Sequence, residues 1–77
     1  MNDEQREILR HALGLNRDDA YEPTRNYYAD EQNAKECNAL VNKGAMIKGR
    51  VMEGGLQLYH VTNFGKELAM KPIGWDA

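Results

Sequence analysis

A chain of 77 residues with net charge −2 has room for one domain and buries only about 60% of the surface its unfolded form exposes. Its single cysteine, Cys37, excludes an internal disulfide, no Cys/His cluster offers a structural or catalytic metal site, and 42% hydrophobic with 29% charged residues mark a folded chain rather than a disordered one. No apolar run approaches the roughly 18 residues of a membrane span, and the polar start Met1-Asn2-Asp3-Glu4 is unlike a signal peptide, so a soluble, cytoplasmic protein without a membrane partner is expected.

The first periodic segment runs from Asp3 to Leu13. Ile8, Leu9, Ala12 and Leu13, followed by Leu15, fall on one stripe, while Glu4, Gln5, Glu7 and Arg10 face away. Asn2 suits an N-cap with Gln5 at the capping-box position, and Gly14 suits the left-handed residue after the last turn. Residues 16 to 24 read as a loop closed by Glu22-Pro23, because proline lacks an amide donor and pushes its predecessor away from helical angles. Thr24 to Ala29 reads as a short strand or extended lead-in.

Asp30 is placed as the N-cap of a second helix that runs to about Asn42, or over 30–43 with its last turn, burying Ala34, Cys37, Leu40 and Val41 and ending at Gly44. Residues 45–52 and 56–62 flank Glu53-Gly54-Gly55, whose glycines supply the positive backbone angles of a tight hairpin. Alternation is expected to put Ile47, Gly49 and Val51 on one face and Lys48 and Arg50 outside. On the return strand Tyr59 and Val61 point into the core and alternate with Leu58 and His60. Thr62 caps a last helix, Asn63 to about Met70, with Phe64 and Leu68 on its inner face, and a tail at 72–77 holds Trp75. The expected architecture is α+β in the order α-(β)-α-β-β-α, with one domain over 1–71.

Charge is distributed unevenly. Residues 1 to 38 carry five basic groups against nine acidic ones, and residues 39 to 77 carry five against three. Phosphate-binding surfaces depend on clustered positive charge, so any such surface is expected in the second half.

Leu40-Val41-Asn42-Lys43-Gly44-Ala45-Met46-Ile47 and Tyr59-His60-Val61-Thr62-Asn63-Phe64-Gly65-Lys66-Glu67-Leu68 resemble the helix, wing and closing helix of winged helix-turn-helix proteins. The resemblance covers about Asp30 to Met70 and implies a wing over 46–61. The chain departs from that family by about one helix before the wing, and the helix that would enter the major groove opens with Asp30 and Glu31. Ile8-Leu9-Arg10-His11-Ala12-Leu13-Gly14-Leu15 followed by Arg25-Asn26-Tyr27-Tyr28 also resembles small proteins of tailed phages, most of unassigned function.

Two surfaces compete for function. Arg25, Tyr27 and Tyr28 form a candidate protein contact, because tyrosine and arginine are enriched among interface hot spots and adjacent residues of an extended segment face opposite ways. Gln32, Asn33, Lys35, Lys43, Lys48 and Arg50 are the candidates for base and phosphate contact with duplex DNA, against the alternative that charged strand residues simply protect an edge. His11 and His60 lack ligand or acid/base partners at useful spacing, and Cys37 lies on an apolar stripe beside Glu36, which raises a thiol pKa. No catalytic constellation, cofactor or metal is expected. The reading is a small noncatalytic protein that binds a protein partner, with a DNA-binding transcriptional regulator as the alternative. Homodimerisation through Met46, Met52, Leu56 and Trp75 is open to both.

Overall fold

The computed structural model describes residues 2–15 and 23–70. The tail at 72–77 with Trp75, and most of the loop before Pro23, lie outside the described residues. The elements are α1 (Asp3–Ala12), β1 (Tyr28–Asp30), α2 (Lys35–Lys43), β2 (Met46–Val51), β3 (Gln57–Val61) and α3 (Asn63–Met70). The class is α+β, with three helices and a three-stranded antiparallel sheet in the order β1-β3-β2.

α1 starts where its sequence signals say. The Asn2 carboxamide accepts the Gln5 N–H at 2.7 Å, and Asp3 and Glu4 occupy the positive end of the helix. Its buried face, Ile8, Leu9 and Ala12, continues through Leu13 and Leu15 into a core shared with Cys37, Leu40, Ala45, Met46, Tyr59, Val61 and Ala69. Arg10 reaches from α1 to two backbone carbonyls: Nη1 donates to Ala69 O at 3.1 Å and Nη2 to Leu15 O at 2.8 Å.

The second helix is shorter than its sequence suggests. Asp30 is not its N-cap but the last residue of β1, paired with Gln57, and its Oδ1 accepts the N–H of Glu31. Sheet pairing overrides the capping preference of the aspartate. The buried Tyr59 hydroxyl then donates to Glu31 O at 3.0 Å, holding the following residues in a turn. The helix begins only after Ala34, which supplies no side-chain cap, and it ends at Gly44 with φ +86°. Gln32 and Asn33 therefore lie in the turn and not on a helix.

The hairpin turns through Gly54 and Gly55, both at φ above +90°. Its alternation differs from expectation at two places. Met46 pairs with Val61 and faces the core, so Ile47, opposite His60, points outward and is 56% exposed. A bulge between Lys48 and Val51 then adds one residue to β2, which sets Val51 opposite Gln57 and ends any common face for Ile47, Gly49 and Val51, or for Lys48 and Arg50. Buried Gln57 fixes the bulge, its Nε2 donating to Gly49 O at 2.7 Å.

Thr62 joins α2 to α3. Its hydroxyl donates to Gly44 O at 2.6 Å and accepts the Gly65 N–H at 3.1 Å, while its own N–H donates to Ala45 O at 3.0 Å. The face α3 buries is Gly65 and Ala69, with Leu68 half-buried. Phe64, one residue and about 100° away, is 47% exposed. The expected inner face is thus rotated by one position.

Candidate functional site

Arg25, Asn26, Tyr27 and Tyr28 form the approach to the sheet, and each is fixed to backbone or ring partners. Arg25 Nη2 and Nε donate to His11 O at 2.8 and 3.2 Å, and the guanidinium lies 5.2 Å from the centre of the Tyr27 ring. The Asn26 side chain clamps Val61, accepting its N–H at 2.6 Å and donating to its carbonyl at 3.0 Å. The Tyr27 N–H donates to Ala12 O at 3.0 Å. An asparagine side chain thus pairs with β3 just before β1 begins, and the segment is tied down by hydrogen bonds although it is not regular strand.

The two tyrosines part, as extended geometry requires. Tyr27 is 50% exposed and lies on the sheet face that also carries Ala29, Ile47, Leu58 and His60, by the register of β1, β3 and β2. Among the described residues no helix covers this face; Ala29 and Ile47 are exposed, and Leu58 and His60 are half-buried. His60 Nδ1 lies 2.8 Å from Asn26 O. Tyr28 turns the other way, half-buried, with His11 edge-on at 5.6 Å and 87°.

Below Tyr28 a groove of about 540 Å³ opens between α1, β1 and the start of α2. Its lining includes Ile8, Ala34 and the rings of Tyr28 and His11, and it is edged by Glu4, Glu7, Asp30 and Glu36 with Lys35. The Tyr28 phenol is raised above its ordinary pKa, first by burial and then by the charges of Asp30, Cys37 and Glu4. Cys37, fully buried behind the groove, is pushed up to about 11 by burial, by the Asp30 charge and hydrogen bond, and by Glu36. That thiol is a core side chain, and a thiolate nucleophile is disfavoured there. Among the described residues no three His, Cys, Asp or Glu side chains are grouped to hold a metal ion.

The DNA candidates are spread over the turn before α2, α2 itself and β2. Gln32 is occupied, its Nε2 donating to Gly55 O at 3.0 Å, and exposed Asn33 sits beside it in the turn. Lys35 edges the acidic groove, Lys43 ends α2, and Lys48 and Arg50 are exposed on edge strand β2, Lys48 paired with Tyr59 and Arg50 inside the bulge. Of the hydrophobics assigned to self-association, Met46 is core, and Met52 and Leu56 are exposed at the hairpin end. The sequence singled out Tyr28 but missed the groove it lines, because its acids read separately: Glu4 and Glu7 as the outward face of the first helix, Asp30 as an N-cap and Glu36 as a neighbour of Cys37. Among the described residues no helix is long and apolar enough to cross a membrane. No protein-family model, curated protein or solved structure matches this chain.

Proposed function

We propose that the chain is a small noncatalytic interaction protein, phage-encoded and acting in the cytoplasm of a bacterial host, that binds a protein partner on a reduced winged-helix-like scaffold. The scaffold reading rests on the order of helix, short strand, helix, hairpin and helix, with a threonine-capped α3 packed against the hairpin.

One observation carries the binding reading. Tyr27 is half-exposed on a helix-free sheet face while its backbone is tied to α1 and Arg25 lies against its ring. An aromatic held in place before binding loses little conformational entropy on contact, which is the property of an interface anchor. Ile47 extends the same face as far as β2.

Affinity capture from bacterial lysate, with captured proteins quantified for the wild type and for a Tyr27→Ala/Ile47→Lys variant, tests the reading. At least one protein retained by the wild type is lost by the variant, whose folding is checked by circular dichroism. If the folded variant retains every captured protein, the reading fails.

Duplex DNA is the second reading, favoured by the exposure of Lys48 and Arg50 on the hairpin with Lys43 at the end of α2. It is weaker because the first turn of α2 borders four carboxylates, which repel phosphate, and because Gln32 already has a backbone partner. It requires salt-sensitive binding to duplex fragments that weakens when Lys48 and Arg50 are neutralised. The absence of any mobility shift at low salt eliminates it.

A further inference from the structure

We propose that the groove between α1, β1 and the start of α2 receives a basic segment of a partner protein, with a lysine or arginine stem laid over its apolar floor and the cation held at its carboxylate rim. The inference gives the partner of the interaction module a chemistry, and it rests on that reading while using a different surface from Tyr27.

Shape and polarity come first. The groove, about 540 Å³, falls within the range of roughly 300 to 1,000 Å³ typical of ligand sites. Its floor is mixed: Ile8 and Ala34 are aliphatic, and Tyr28 presents a ring in T-shaped contact with His11. A long cationic side chain has the same division, with methylenes that seek apolar contact and a charged head that seeks water or a carboxylate. The aromatic ring adds attraction for a cation near its face.

Charge narrows the occupant. Glu4 and Glu7 stand one turn apart on α1, Asp30 ends β1 and Glu36 is in the first turn of α2, so four carboxylates from three elements line the groove with Lys35, the only lysine or arginine of the lining among the described residues. Among the described residues the hydrogen bonds to these carboxylates come from neutral donors, Asn2 Nδ2 to Glu36 at 3.3 Å and the Glu31 N–H and Cys37 Sγ to Asp30 at 2.8 and 3.9 Å, which orient the carboxylates and add no positive charge. Burial is the first cause of the raised Tyr28 and Cys37 pKa values, and the charges of Asp30 on both, Glu4 on Tyr28 and Glu36 on Cys37 add to it in the same direction.

The spread of the carboxylates separates a peptide from a metal ion. No three ligating side chains among the described residues are grouped for coordination, whereas charges distributed along a groove match positive charges distributed along a chain. A second copy of this protein would bring a net charge of −2 to a groove that is itself negative, so a basic partner is the better match.

The experiment uses the full chain, isotope-labelled, titrated at low ionic strength with a short synthetic peptide carrying lysine, arginine and leucine. The same peptide with glutamate at every basic position, and calcium chloride alone, serve as comparisons. Saturable amide shifts confined to the surroundings of Glu4, Glu7, Ile8, Tyr28, Lys35 and Glu36 are expected, weakening with added salt. Glu7→Lys weakens affinity by about tenfold or more and Glu7→Gln by less, with the fold of each verified from its own spectrum. The inference is overturned by no saturable shift, by shifts centred on the hairpin, by unchanged affinity in Glu7→Lys, or by the same saturation with calcium alone. Concentration-dependent groove shifts without peptide overturn it in favour of a second copy. Tyr27→Ala/Ile47→Lys leaves peptide binding intact, so loss of lysate capture in that variant with no peptide binding by the wild type leaves the interaction-module reading standing and removes only this one.

Discussion

The hydroxyl of Tyr59, from the middle of β3, donates to the carbonyl of Glu31 at 3.0 Å, with the Gln32 carbonyl also within reach at 3.4 Å. Tyr59 is fully buried, and burial together with the charges of Cys37 and Asp30 raises its phenol pKa, so it remains a neutral donor. The contact joins the central strand to the turn that delays α2. Replacing Tyr59 with phenylalanine preserves the ring packing but leaves a carbonyl without its donor. The expected cost is about 1 kcal/mol, read as a lower denaturation midpoint with unchanged slope, together with faster amide exchange across residues 31 to 34. A stability loss with no local change in exchange would show that the bond does not set the helix start.

Gly65 is the tightest point between α3 and the hairpin. A Cβ there would press into the backbone carbonyl of Ala45 and into a methyl of Val61. The carbonyl cannot swing aside freely, because it accepts the Thr62 N–H at 3.0 Å. Gly65→Ala is therefore expected to destabilise by about 2 to 3 kcal/mol despite alanine's better helix propensity, since overpacking outweighs a propensity gain of about 1 kcal/mol. Gly54→Ala offers a contrast: no atom lies within 4 Å of its Cβ position, and the penalty there comes from φ +94° alone. Thermal denaturation of both variants checks the pair.

How far the sequence could be read follows from which interactions were local. α1 was legible at both ends because Asn2, the first-turn acids and Gly14 act within a few residues of the helix. Gly44, the two turn glycines and the Thr62 cap were legible for the same reason. Asp30 was misread because its pattern suits a cap equally well, and only the distant pairing with Gln57 holds it in the sheet. Ile47 was misplaced because the pairing of Met46 with Val61 sets the phase of β2, and Val51 parts from its expected face because one residue inserted after Lys48 reverses the period-two pattern, with Gln57, the side chain that stabilises the bulge, on the other strand. The candidate groove was illegible for a similar reason: its acids come from three elements whose approach depends on tertiary packing. Tyr27 and Tyr28 were separable in advance because alternation is a property of the backbone itself.

Arg10 supports the junction of α1 and α3 through two carbonyls, Ala69 O and Leu15 O. Both bonds are charge-assisted, and the guanidinium fork reaches two acceptors at once. Arg10→Met retains most of the apolar stem and removes both donors, for an expected loss of about 2 kcal/mol. Arg10→Lys recovers only part of it, because an ammonium is a point donor on a flexible stem. Comparable stability of the lysine variant and the wild type in urea denaturation would contradict the two-acceptor account.

Cys37 supplies a pH dependence whose sign is fixed by its surroundings. Its folded pKa is raised from 9.0 to about 11, first by burial, then by the negative charge and hydrogen bond of Asp30 and by Glu36. The native state therefore keeps the proton over a range in which the unfolded chain has released it. The stabilisation is fully present below about pH 9 and is lost as pH rises toward 11, amounting to on the order of 2 kcal/mol. Tyr28 and Tyr59 also have raised pKa values and contribute in the alkaline range, so the informative quantity is the wild-type stability minus that of Cys37→Ala. The difference should be flat from neutral pH to about 9 and then fall, because alanine has no proton to hold and its cavity cost is independent of pH. At pH 8 the shift alone lowers the thiolate fraction by about a hundredfold, so alkylation of the native protein by iodoacetamide should be slow and become fast on unfolding. A wild-type difference that remained flat to pH 11, or rapid native alkylation, would place Cys37 in a much wetter and less negative setting than the junction of α2 and β1 provides.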